Sequence, residues 1–104
     1  SYHRWQNYGK EKQEAIKQEG KEMYLQLVAL IDSDPTSAPV QTLMKEWHKQ
    51  LRYFYEPTQA IMQGLAHNYV NDPAFASTYE KIHPDMPTFL RDAILHYVET
   101  VEDK

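Results

Sequence analysis

The sequence predicts an all-α fold, a single compact bundle of about five helices, on three observations. Apolar residues recur at helical spacing in successive segments, prolines stand where helices begin, and no stretch shows the two-residue alternation of a half-buried strand. In the first segment Ile16, Met23, Tyr24, Leu27, Val28 and Ile31 share one face, with Gly20 among them. A glycine there weakens the helix by about 1 kcal/mol relative to alanine, unless close packing by another element requires it. Residues 1–14 carry Trp5 and Tyr8 among Arg4, Lys10, Glu11 and Lys12, and three states are open to this stretch: helical, frayed and mobile, or ordered only by a partner.

The loop that follows contains Asp34-Pro35 and ends in Ser37-Ala38-Pro39, which sets proline in the first turn of the second helix. That helix is expected to reach about Tyr55, with Val40, Leu43, Met44, Trp47, Leu51 and Phe54 buried and Tyr53 exposed on the far side. Glu56-Pro57-Thr58 stops it and opens a third helix, in which Ile61, Leu65 and Tyr69 share the inner side. Asp72-Pro73 is the clearest boundary, because aspartate is a good N-cap and proline suits the first helical position. Phe75, Tyr79 and Ile82 are expected to form the inner face of a short fourth helix. Pro87 opens the fifth, where Phe89, Leu90, Ala93, Ile94, Tyr97 and Val101 face inward.

With 104 residues, one hydrophobic core and one domain spanning 1–104 are expected. Aromatic side chains make 12% of the chain, and each buries about 150 to 250 Å², so that core has material enough. Eleven basic against fifteen acidic side chains leave a net charge of −4, which argues against a phosphate backbone as direct partner. Cysteine is absent, removing disulfides, thiolate nucleophiles and cysteine zinc sites and suiting a cytoplasmic protein. No apolar run approaches the roughly 18 residues that span a bilayer, and the start of the chain lacks a signal-peptide core. Ser1 in place of an initiating methionine suggests a piece of a longer protein.

Catalytic patterns are sought and not found. The five histidines, His3, His48, His67, His83 and His96, include no pair at three- or four-residue spacing, and the single Glu-x-x-His, Glu80 to His83, lacks the second copy of a di-metal bundle site. None of Ser1, Ser33, Ser37 and Ser77 sits in a nucleophile elbow, and three glycines make no phosphate-cradling loop. The expectation is therefore no enzyme, no metal and no cofactor, and a chain that binds instead. On the second helix, His48 and Tyr55 fall at the margin of the buried face with Arg52 just beyond, a combination suited to the rim of a cleft.

Taken together, Val40-Gln41-Thr42-Leu43, Trp47-His48, Leu51, Phe54-Tyr55-Glu56-Pro57-Thr58, Tyr69-Val70-Asn71-Asp72-Pro73-Ala74-Phe75, Tyr79 and His83-Pro84-Asp85-Met86-Pro87-Thr88-Phe89-Leu90-Arg91-Asp92-Ala93-Ile94 with Tyr97 form a specific series. In order and spacing, over roughly residues 20 to 98, it resembles the TipAS-type antibiotic-recognition domain, the effector module of MerR-like transcription activators. The resemblance implies a globin-like helical arrangement that binds bulky multi-ring drugs, chiefly thiopeptide antibiotics, in a cleft between helices. It also implies that DNA is met only through an upstream domain, in a full-length homodimer, and that no membrane is involved. Carried over position by position, the ligand-binding residues are Trp47, His48, Leu51, Tyr55, Tyr69, Phe75 and Tyr79. Two departures stand out: without cysteine any capture is reversible, and Asp85-Met86-Pro87 replaces an expected glycine turn. The competing readings are a helical protein–protein interaction or dimerisation module with no small-molecule site and a degenerate globin-like haem protein, which would give a Soret band on haem addition.

Overall fold

Helices account for all the regular structure in the computed structural model, which describes residues 2–101, with side chains from His3 onward. Ser1 and residues 102–104, included in the expected single domain, lie outside the described residues. The order is α1 (Tyr2–Asn7), α2 (Lys10–Ala29), α3 (Ala38–Arg52), α4 (Gln59–Asn71), α5 (Pro73–Glu80) and α6 (Met86–Glu99). The all-α expectation holds, and the first segment divides into two helices at Gly9, the residue before α2.

The polar N-terminal stretch is helical because α1 folds back on the end of α3. Trp5 stacks on Phe54 with ring centroids 5.2 Å apart, the Arg4 guanidinium donates to the Arg52 carbonyl at 2.8 Å, and the Tyr8 hydroxyl donates to the Tyr53 carbonyl at 2.7 Å. These bonds satisfy carbonyls that a helix C-terminus leaves without intrahelical partners. They also correct the exposed placing of Tyr53. That residue is half-buried, its hydroxyl donates to Glu19 at 2.7 Å, and Lys12 lies over its ring. The bond to Glu19, with some burial, pushes its phenol up to about 12.

Along α2, Ile16, Met23 and Leu27 are buried as expected. Gly20 faces α3, and a Cβ there would lie 3.3 Å from Oε1 of Gln50, whose Nε2 donates to the Ile16 carbonyl, so close packing accounts for the glycine. α3 begins after Ser37 with Pro39 in its first turn and ends at Arg52, one turn short of the expected Tyr55. Residues 53–55 continue as a turn, with the Phe54 and Tyr55 amides both donating to the Leu51 carbonyl. Gln41 ties the preceding loop to the last helix by donating to the carbonyls of Pro35 and Ala93.

The rotation of α4 differs from expectation. Its buried residues are Met62, Ala66 and Tyr69, whereas Ile61 is 41% exposed and Leu65 half-buried. Thr58 caps the helix by accepting from the Ile61 amide, and the helix packs against α6 with Met62 in the shared core. Both faces are apolar, so periodicity alone does not choose between them. In α5 the Asp72 carboxylate accepts from the Ala74 amide and Pro73 occupies the first turn, as the boundary predicts. Its expected inner face is corrected: Ala76 is buried, Tyr79 half-buried, and Phe75 and Ile82 are exposed. A small residue at the contact lets this two-turn helix approach its neighbours closely. The last helix, α6, packs against α3, α4 and α5 and buries Met86, Pro87, Phe89, Leu90, Ala93, Ile94, Tyr97 and Val98, with Val101 half-buried beyond it. No described helix is long and apolar enough to cross a membrane.

Candidate functional site

Four helices bring aromatic rings to one place. Trp47 of α3 is only 2% exposed, and its indole Nε1 donates to the hydroxyl of Tyr69 on α4 at 3.4 Å. The Tyr69 ring meets Tyr79 of α5 edge-on at 4.6 Å and Phe75 at 6.0 Å. Tyr24 of α2 closes the group, with its ring 5.5 Å from Tyr79 and its hydroxyl donating to the Tyr79 hydroxyl at 3.5 Å. Burial holds the phenols of Tyr24 and Tyr69 well above the ordinary tyrosine range, and neighbouring phenols add to this in both. Tyr55 contributes to the shift at Tyr69, so it belongs at the edge of the same group. With their pKa values raised, the phenols of Tyr24, Tyr55 and Tyr69 stay neutral near pH 7, able both to donate and to accept.

Of the seven residues expected around a ligand, Trp47, Tyr69, Phe75 and Tyr79 meet in this cluster and Tyr55 borders it. Leu51 is half-buried and packs against the hydrophobic core. His48 stands apart. It lies inside the buried face, 6% exposed, instead of at its margin, with Nδ1 2.7 Å from the Tyr97 hydroxyl of α6. Burial, with the nearby Arg52 guanidinium, holds the imidazole below its ordinary value, and burial raises the Tyr97 phenol. Both shifts fit a neutral imidazole whose Nδ1 accepts from the phenol, the tautomer assigned from that contact. The pair joins α3 to α6, and its short contact fills hydrogen-bonding capacity that a ligand would otherwise use.

Tyr24 and Tyr97 carry polar functions absent from the expected set. Each was visible as a tyrosine within an inward stripe, and a buried phenol usually needs a polar partner. The partners themselves lie 55 and 49 residues away along the chain, beyond the reach of local pattern. Chemically, the cluster offers ring edges and faces, a donor-only indole and several neutral hydroxyls. Among the described residues no group of three or more histidines and carboxylates is arranged to hold a metal ion. Such a set is chemically suited to apolar, ring-rich molecules, met through shape and a few hydrogen bonds.

The family model of the TipAS antibiotic-recognition domain matches residues 1–97. The chain belongs to this family. The match extends the resemblance, noted from about residue 20, through α1 and the first half of α2, so the segment docked by Trp5 and Tyr8 is part of the TipAS domain. TipAS is a family of ligand-binding regulatory domains and not of enzymes. No curated protein and no solved structure matches the chain.

Proposed function

We propose that this TipAS domain is the effector-binding end of a MerR-like transcription activator and reversibly binds bulky multi-ring antibiotics such as thiopeptides. The observation that carries the reading is the cluster of Trp47, Tyr69 and Tyr79 with Tyr24, whose outer edge is formed by the 39% exposed Phe75. Phe75 and Tyr79 supply the reachable surface, Leu51 on α3 and Tyr55 in the turn after it extend that surface, and Trp47 and Tyr69 lie behind. A ligand reaching Trp47 must separate rings that now pack together. Binding therefore favours an opened arrangement of α5 over the closed one, and only that difference in affinity shifts the population. His48 belongs to this reading as a residue that holds α3 against α6 behind the site. In the cytoplasmic, homodimeric full-length protein an upstream domain would meet DNA and read this shift.

Fluorescence titration with thiostrepton tests the proposal. Trp5 is replaced by Phe so that emission comes from Trp47 alone. A saturable change in emission is expected, with Phe75→Ala and Tyr79→Ala each weakening binding about tenfold, equivalent to about 1.4 kcal/mol. Absence of any change with thiostrepton and several other multi-ring antibiotics at roughly tens of micromolar would refute it.

A further inference from the structure

A second concave surface lies outside the aromatic cluster, along the crossing of α2 and α3. One part, about 400 Å³, is lined by Glu19, Glu22 and Met23 with Leu43, Glu46 and Gln50. The adjoining part, about 410 Å³, is lined by Ala29, Leu30 and Pro39, and the two share Gln26, Thr42 and Leu43. They form one groove with a mainly apolar end and an acidic end. Leu25, 60% exposed, is the most exposed large apolar side chain of those described and stands on the same helix.

The charges at the acidic end are not neutralised alike. Glu19 is held by Lys49 at 3.7 Å and by the Tyr53 hydroxyl. Among the described residues, Glu22 accepts only from the neutral Gln18 amide and Glu46 takes part in no ion pair. One carboxylate from each helix thus lines the same groove with no cation among the described residues in an ion pair with it. A concave site with apolar walls and one sign of charge focuses its field and attracts the opposite sign. A second copy of this chain would bring like charge to like charge, at net −4 each, which argues against self-association here. No metal-holding arrangement exists among the described residues, so a bare ion is not the fitting occupant.

We infer that the α2–α3 groove is a second binding site, for amphiphilic organic cations: an onium centre between Glu22 and Glu46, and an aromatic or aliphatic body over Met23, Leu43 and Leu30. Each part of the groove falls within the size range of small-molecule sites. The inference does not rest on thiopeptide binding, because it uses none of the residues of the aromatic cluster.

The probe is tetraphenylphosphonium, titrated into the ¹⁵N-labelled chain in sodium buffer, with tetraphenylborate as the isostere of opposite charge. Expected are a dissociation constant of roughly tens of micromolar and amide shifts centred on Glu22, Gln26, Thr42 and Glu46. Tetraphenylborate should bind at least about tenfold more weakly, and the Glu22→Gln, Glu46→Gln double variant should lose about tenfold in phosphonium affinity. Thr42→Arg, at an exposed position, places a cation of the chain in the groove and should abolish binding while the chain stays folded. Equal binding of the borate, shifts centred on Tyr24, Tyr69 and Tyr79, unchanged affinity in the double variant, or no binding below about 1 mM would each overturn the inference. So would occupation of the groove by a lysine-rich amphipathic peptide where the phosphonium fails.

Discussion

Replacing Tyr69 by Phe removes one oxygen from the centre of the aromatic cluster, and the structure indicates what that oxygen is worth. It accepts the indole N–H of Trp47, a donor with no second function, in a residue almost wholly shielded from water. Phenylalanine keeps the ring and its edge contacts with Tyr79 and Phe75, so packing is conserved. The loss is the orphaned donor, and a buried unsatisfied polar group costs about 1–3 kcal/mol. At 3.4 Å the bond is long, and an apolar ring escapes the desolvation of a phenol, so the lower half applies, about 1–1.5 kcal/mol. For a domain of this size that corresponds to a fall of about 4–10 °C in Tm. Tyr24→Phe is the matched control. Its hydroxyl donates over 3.5 Å to that of Tyr79, which is half-buried and can turn to water, so the expected loss is about 0.5 kcal/mol or less. Urea unfolding followed by circular dichroism reads both, provided that the slope with denaturant stays constant. A Tyr69→Phe protein as stable as the parent, or a larger loss in Tyr24→Phe, would refute the assignment of Tyr69 as the partner that keeps Trp47 buried.

Two further outcomes follow from the interior. Because the folded chain holds His48 below the ordinary value of 6.5, the unfolded chain binds more protons just below that pH. The contribution of neutral His48 is therefore full above about pH 6.5 and declines as pH falls through the lower folded value; urea midpoints between pH 5 and 7.5 should show this slope, and His48→Phe should flatten it. On α4, Met62→Ala should cost about 2–4 kcal/mol and Ile61→Ala less than about 1 kcal/mol, measured by chemical unfolding, since only Met62 is buried; the reverse order would mean that the helix is rotated by about one residue.

Local chemistry was enough for the starts of α3, α4, α5 and α6. Pro39, Thr58, Asp72-Pro73 and Pro87 act within a single turn, and each stands at or beside a helix start. The inward stripe of α6 was equally legible, because one face of that helix is continuously apolar and the helix touches three others. α4 was not, since Ile61 and Leu65 rival Met62 and Ala66 in hydrophobicity and only the position of α6 selects between them. α5 failed for the same reason at shorter length: two turns cannot average out a single misplaced ring, and Phe75 lies at the edge of the cluster instead of inside it.

For the site, the sequence by itself determined the supply, an aromatic-rich, cysteine-free all-α chain with tyrosines set into apolar stripes. Only the tertiary structure decided which of them meet. Trp47, Tyr69 and Tyr79 converge with the unexpected Tyr24, His48 turns to Tyr97, and Trp5 docks α1 on Phe54. The reason is physical. A helical period tells which side chains share a face over a few turns. The pairing of two hydroxyls 55 residues apart depends on how helices cross, and the crossing is set by the packing of all six at once.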